Sequence, residues 1–313
     1  MTGAVRRKRR ELPGKGFLAR LSRSSSSGFP TTAVAEALAG PQQTCITCGA
    51  RSTNRYAVNR RLQQDASVVM APDPAGAVDP EIGVCAFMRC SDSAPLALLA
   101  NVTMHPTTLG VSVHAVSADY PGRVIRQLQS NMADDGVAFL IQGAAGDSKP
   151  LLDARATTFR EGTGRDIGRW INAIVQDATP LTAAALRVDH RSLQTRFARA
   201  IREAAFSDLI HRMDQTADAQ PMPASDGTAE WNRGHLDHDL LDQERRAWTP
   251  YTFVVGYCNG TIGYVPTAPE AVRGGYETTE AYRLYGLPAA LHPDTAAQLE
   301  DAAIEMLEAA RPS

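Results

Sequence analysis

The stretch Leu96-Ala97-Leu98-Leu99-Ala100-Asn101-Val102-Thr103-Met104, running into His105-Pro106-Thr107-Thr108, decides the fold. Apolar residues fill nearly every position up to Val102 instead of alternating with polar ones, the pattern of a strand covered on both faces. Upstream, Glu81 to Met88 reads as a second strand. Ser67-Val68-Val69-Met70 reads as a short one before the turn-rich Pro72-Asp73-Pro74-Ala75-Gly76. Downstream, Tyr120-Pro121-Gly122 leads into Arg123 to Met132, where Val124, Ile125 and Leu128 share a helical face, and Val137 to Ile141 reads as the next buried strand. Strand, helix and strand in succession predict an α/β fold, a layered mixed β-sheet core with flanking helices.

Further along, Ile167, Trp170, Ile171 and Ile174 form one apolar stripe of a helix over Asp166 to Asp177. Thr252 to Tyr257 reads as a strand ending in the Asn259-Gly260 turn, and a helix from about Pro293 to Ala310 closes the chain. Residues 191–248, which include Pro221-Met222-Pro223, carry no convincing strand and read as a linker or excursion.

The chain has 313 residues, 43% of them hydrophobic and 21% charged, which excludes disorder throughout. Its longest apolar runs fall short of the roughly 18 residues that a membrane-spanning helix needs. A net charge of -2 leaves no global basic field, so nucleic acid is not an expected partner. Basic residues cluster in Arg6-Arg7-Lys8-Arg9-Arg10, followed by the serine run Ser24 to Ser27. Residues 1–50 are therefore expected to be a disordered basic, serine-rich tail, with the ordered domain spanning 51–313. Gly28, Pro30 and Glu36 interrupt any export-signal core behind the arginines, so the cellular address stays open, cytoplasmic by default.

Five cysteines, Cys45, Cys48, Cys85, Cys90 and Cys258, do not imply a dense disulfide framework. The first four are weighed as a four-thiolate zinc site, but the second pair is wrongly spaced for one. The preferred reading is small apolar residues and a flexible N-terminal pair.

Four polar segments sit at the ends of predicted strands, where open α/β sheets place their ligands. His105, restrained by the proline after it, is a competent metal ligand or else a hydrogen-bonded turn histidine. Gln142-Gly143-Ala144-Ala145-Gly146-Asp147-Ser148-Lys149-Pro150 allows close approach to the backbone and lacks the ending of a phosphate-binding P-loop. Gly256 to Thr267, continued by Gly274-Gly275-Tyr276-Glu277, carries tyrosines that serve a bound group or the packing at the sheet rim. Tyr56-Ala57-Val58-Asn59-Arg60-Arg61 offers a guanidinium.

In this order, those segments resemble the neutral/alkaline non-lysosomal ceramidase family, particularly its shorter bacterial members. The resemblance runs from about Tyr56 to Leu307 and is strongest at Val78 to Val84, at His105-Pro106-Thr107 with Ser117 to Gly122, at Gly143 to Asp147, and over Phe253 to Glu277. It implies a ceramidase-type catalytic domain and a zinc-dependent hydrolase of linear amides, which cleaves the N-acyl bond of ceramide-like or other N-acyl lipids. By position, it implies one zinc ion held by His105 and Tyr264. Tyr276 and Arg60 would stabilise the oxyanion, a role suited to phenol and guanidinium donors. The glycine loop adds Asp147 and Ser148 as catalytic candidates.

The sequence departs from the family in three places. No histidine precedes His105, where the family carries a first zinc ligand in a Thr-His-Thr-His-Ser-Gly type segment. The zinc-binding glutamate of a Pro-Gly-Glu segment is not recognisable, and counting places Gly234-His235 there, making His235 the substitute ligand. Lys149 stands where the family's Gly-Asp-x-Ser-Pro loop carries serine, with Ser148 one residue early. These departures, with an N-terminus unlike the family's, set a second expectation beside the first: a shortened or degenerate homologue that keeps the scaffold and hydrolyses nothing. Neither oligomeric state nor acyl-chain preference is legible.

Overall fold

The computed structural model describes residues 35–109, 114–132, 136–151, 159–181, 187–198, 251–258 and 262–310. The chain divides into two units, Met1–Thr44 and Cys45–Ser313. In the first, residues 35–39 are helical. Strand β1 occupies Thr44–Ser52, so regular structure begins before the expected boundary at Arg51. Most of the unreadable stretch 191–248 lies outside the described residues, as does the Asn259-Gly260 turn.

Among the described residues, the strands of the second unit form two sheets. The larger is built from β1, β4 (Glu81–Arg89), β5 (Pro95–Val102), β6 (Val137–Gln142) and β8 (Thr179–Pro180), in the order β6-β5-β4-β1-β8. Strands β4 and β5 are antiparallel, pairing Val84 with Ala100, whereas β5 and β6 are parallel, pairing Ala100 with Leu140. A parallel neighbour requires a crossover, and α1 (Asp119–Gln129) lies within it. The smaller sheet is antiparallel, β3-β2-β7, from β2 (Ala57–Gln64), β3 (Ser67–Asp73) and β7 (Ser148–Pro150). This is the mixed-sheet α/β architecture expected from the central apolar strand.

One face of the larger sheet packs on α1 and on α2 (Phe159–Gln176). Val84, Leu98, Ala100, Val124, Leu128, Ile167 and Ile171 meet in one buried cluster. Each of the two buried isoleucines contributes roughly 1.5–3 kcal/mol by leaving water. The helices approach closely because Gly164 and Gly168 face α1: a Cβ on Gly164 would lie 2.9 Å from the Tyr120 carbonyl oxygen.

Two sequence expectations are corrected here. Strand β6 is an edge strand, with Val137 41% and Phe139 53% exposed, so only one of its faces is buried. An apolar run marks both faces as hydrophobic but does not say which strand ends the sheet. Residues 252–257 form no strand. They pass the ends of β5 and β6 with isolated bonds, the Asn101 amide of β5 to Val254 O at 2.9 Å and Gly256 N–H to Gln142 O of β6 at 2.8 Å, and Tyr257 turns to a φ of 59° that ends extended backbone. The cysteines are a third correction. Cys45 is disulfide-bonded to Cys90 with Cα atoms 5.7 Å apart, which removes two of the four thiols from any zinc site.

Among the described residues after α2, the helices are short except the last: α3 (Ala268–Arg273), α4 (Tyr276–Thr279), α5 (Ala281–Leu284) and α6 (Asp294–Ala309). Among the described residues, no helix is long and apolar enough to cross a membrane.

Candidate functional site

The two sheets meet where β5 runs past its end. There the Ser148 hydroxyl of β7 donates to the Thr103 carbonyl at 3.0 Å, and the His105 N–H donates to the Ser148 carbonyl at 3.1 Å. From the other side, Arg60 of β2 donates its N–H to the Asp147 carbonyl at 2.7 Å. The ends of parallel β5 and β6 and the strand carrying Arg60 are thereby tied together, at the sheet edge where α/β folds bind ligands.

His105 is held from several directions. Tyr120, buried in α1, donates its hydroxyl to the Met104 carbonyl at 2.7 Å. Asp119, at a φ of 49°, accepts from the Thr108 hydroxyl at 2.7 Å and from the Leu109 N–H at 3.1 Å, which fastens the loop after His105 to the start of α1. Nδ1 of His105 contacts the carbonyls of Ala145 and, at 3.1 Å, Ser148. Carbonyl oxygens only accept, so Nδ1 carries the proton and Nε2 keeps its lone pair. Burial, and then the Arg60 charge, push the imidazole below its ordinary pKa, so the ring is neutral at pH 7.

The unprotonated Nε2 faces the Tyr264 hydroxyl at 3.3 Å, and the Arg60 Nη2 donates to the same hydroxyl at 2.9 Å. Tyr276 stands edge-on to Tyr264 with ring centroids 6.0 Å apart, and the Arg60 guanidinium carbon lies 5.9 Å from the centre of the Tyr276 ring. Four residues named from separate segments of the sequence thus come together. The Tyr276 hydroxyl is pushed up by burial and then by Tyr264, so it is a protonated donor at neutral pH.

Glu277, Arg61 and Glu270 were not singled out from the sequence. Glu277 is 7% exposed; it accepts from Arg60 Nε at 3.0 Å and also pairs with Arg61 Nη1. Arg61 reaches Glu270 at 2.8 Å and the Gly274 carbonyl at 2.7 Å. Successive strand residues normally point to opposite faces. Glu277 bridges both arginines because its two carboxylate oxygens divide between them, Oε1 to Arg60 and Oε2 to Arg61; opposite Arg61 the bulge lies in β3, where Met70 and Ala71 face one residue. Gly275, at a φ of 91°, lets the loop pass Arg61: a Cβ there would sit 3.4 Å from Nη1 and 2.9 Å from Val68. The available signal was the Arg60-Arg61 pair itself, since adjacent arginines within a buried strand require a buried counter-charge.

Asp147 accepts from the Asn59 amide at 3.2 Å, and burial raises its carboxyl above the ordinary range. Ser148 is 1% exposed, with its hydroxyl engaged by Thr103, so it positions the loop rather than presenting a nucleophile. Lys149 pairs with Val58 across the strands and so shares a sheet face with Arg60. His235 lies outside the described residues.

A cavity of about 450 Å³ opens beside Tyr264, walled by Gly143 to Asp147, Tyr257, Ile262, Tyr285 and Leu299, and largely apolar. Its size suits a small ligand or one end of a longer one.

The fit of zinc can be tested on this geometry. Two donors at about 2.0–2.1 Å from one tetrahedral ion stand roughly 3.3 Å apart. Nε2 of His105 and the Tyr264 oxygen have that 3.3 Å separation, with the lone pair of Nε2 directed correctly. Among the described residues, however, no three His, Cys, Asp or Glu side chains come together to hold an ion. The described chain offers two ligands, fewer than the three that catalytic zinc retains.

No known protein family's profile matches the chain, and no curated protein matches it. Solved structures resemble it in part, two of them as follows. One is a neutral ceramidase from Pseudomonas aeruginosa, with 19% identity, covering 46% of this chain and 24% of that chain at a TM-score of 0.36. The other is a ceramidase complexed with C2, with 19% identity, covering 44% and 22% at a TM-score of 0.34. The matched part is under a quarter of either enzyme's length.

Proposed function

We propose that the chain carries the site of an amide hydrolase of the ceramidase type, acting on the N-acyl bond of ceramide-like lipids and yielding a sphingoid base and a fatty acid. The observation that carries this reading is the convergence of His105, Tyr264, Arg60 and Tyr276, since the family resemblance implied those four residues on sequence alone. His105 and Tyr264 would hold zinc, with His235 as the third ligand. Held there, zinc would supply Lewis-acid chemistry for a bound water and the amide carbonyl. Arg60, from a buried position, and Tyr276, from a half-buried one, supply hydrogen bonds to the oxygen on which charge develops. Glu277 holds Arg60 in place, the Ala145 and Ser148 carbonyls keep the Nε2 lone pair of His105 free, and the apolar cavity beside Tyr264 takes the acyl chain.

The test is turnover of a short-chain fluorescent ceramide with added zinc, alongside the metal content of the purified chain. About one zinc per chain, turnover in the parent, and loss of turnover in His105→Ala and Tyr276→Phe support the reading. Equal rates in parent and variants overturn it.

One observation favours a second reading, a homologue that keeps the scaffold and binds lipid without hydrolysing it. The Arg60 cation donates to the oxygen of Tyr264, and the described residues provide no further metal ligand. A chain that holds no zinc yet binds the fluorescent ceramide without turnover would establish it.

A further inference from the structure

Strands β1 and β4 are neighbours in the larger sheet and carry two pairs of cysteines, with Cys90 one residue past the end of β4. The outer pair, Cys45 and Cys90, is already joined. Further into the same two strands, Cys48 and Cys85 are both free thiols, each near enough to shift the other's titration. Neither lies among the residues of the candidate site. The side chain of Gly49 would point at Ile174 of α2, so its neighbour Cys48 lies on the sheet face away from the helices. By the same alternation Cys85, between core residues Val84 and Ala86, shares that face.

We propose that Cys48 and Cys85 are a second cross-strand redox pair, which closes to a disulfide by exchange with a small-molecule disulfide such as oxidised glutathione. The two cysteines have unequal roles. Cys85 is partly exposed, and the hydrogen bond from Cys48 draws its thiol down to about 7, so a large fraction is thiolate at neutral pH. Cys48 is 4% exposed, and contact with Cys85 together with burial raises its thiol, so it stays protonated. The Cys85 thiolate attacks one sulfur of the donor, giving a mixed disulfide and one glutathione thiolate. That thiolate takes the Cys48 proton, Cys48 attacks the Cys85 sulfur, and the second glutathione leaves and is protonated. Two electrons pass from the protein pair to the donor, which ends as two thiols.

Strand register favours closure: the Thr53 N–H donates to the Pro80 carbonyl at 2.8 Å, and antiparallel counting from that pair sets Cys48 opposite Cys85, within the separation that disulfides span. A four-thiolate metal site is not an alternative here. Cys45 and Cys90 are consumed in their own bond, and among the described residues no metal-holding group of three such side chains forms.

The experiment uses the full chain carrying Cys258→Ser, so that the one exposed free thiol takes no part. The protein is equilibrated with oxidised glutathione, alkylated under denaturing conditions, and mapped by mass spectrometry without reduction. The expected result is complete loss of the two alkylatable thiols and a Cys48–Cys85 linked peptide beside the Cys45–Cys90 one. In the Cys48→Ala variant on the same background, one glutathione should remain trapped on Cys85. Two thiols still alkylated after equilibration, a stable glutathione adduct on the parent Cys85, or any other pairing of Cys48 or Cys85 overturns the proposal.

Discussion

The Tyr264 hydroxyl faces the one nitrogen of His105 that carries no proton, at 3.3 Å. That orientation is imposed from behind the ring, where two backbone carbonyls engage Nδ1. If the pair ligates zinc, losing one donor weakens the site by at least the 10–100-fold that even outer partners of metal ligands contribute. Tyr264→Phe is therefore expected to lose zinc to a competing chelator at concentrations at least ten-fold lower than the parent, read by elemental analysis after dialysis. Unchanged zinc retention would remove Tyr264 from the ligand set.

Tyr120 tests the support of His105 separately from its chemistry. Tyr120→Phe deletes the hydroxyl that reaches the Met104 carbonyl at 2.7 Å and leaves that buried acceptor without its partner. The expected loss is about 1–3 kcal/mol of unfolding free energy, measured by urea denaturation. A neutral result would mean that the carbonyl finds another donor.

Glu277 faces two buried guanidinium groups, Arg60 and Arg61. Glu277→Gln keeps the shape and removes the charge, leaving Arg60 without an ion-pair partner while Arg61 keeps Glu270. Breaking a buried pair from one side costs roughly 3–5 kcal/mol, so a fall of about 3 kcal/mol or more is expected in chemical denaturation. A loss below about 1 kcal/mol would show that the arginines are solvated rather than dependent on Glu277.

Asp73 makes a pH prediction away from the site. It is fully buried, Oδ2 has no partner among the described residues, and burial pushes its carboxyl up from 3.8 to about 6, against the Ala75 and Gly76 amide hydrogen bonds that lower it. A carboxyl raised in the folded state binds more protons there than in the unfolded chain between about pH 4 and 6. Its contribution to stability is therefore present below about pH 4, lost as pH rises to about 6, and flat beyond. The shift of about two pH units corresponds to roughly 3 kcal/mol. Asp73→Asn keeps the Ala75 N–H acceptor, so its stability relative to the parent should rise by about that amount between pH 4 and 7, followed by thermal or urea unfolding across the range. A constant difference across that range would show that Asp73 titrates normally.

Much of the scaffold was legible because hydrophobic patterning is a local property. The stripe of Ile167, Ile171 and Ile174 marked α2, and the apolar run before His105 marked β5, since each follows from which side chains must leave water. The same runs did not reveal that β6 ends its sheet, because edge or centre is a matter of neighbours. Nor did they reveal that 252–257 passes the ends of β5 and β6 as irregular chain, because two isolated hydrogen bonds and the Tyr257 backbone take the place of a ladder.

For the site, the resemblance to the ceramidase family is what singled out His105, Tyr264, Tyr276 and Arg60, since residue chemistry alone left a turn histidine, rim-packed tyrosines and a solvent-facing arginine as equal readings. Only the tertiary structure decided which histidine nitrogen faces the tyrosine, that Ser148 braces Thr103, and that Glu277 serves two arginines. Those facts depend on contacts between segments more than forty residues apart in sequence, such as His105 with Ser148 and Arg60 with Glu277. The sequence by itself determined the fold class, which follows from local hydrophobic pattern, and offered the candidate groups only through its family resemblance. The tertiary structure determined their protonation, pairing and exposure, because those arise from the distances and desolvation that long-range packing creates.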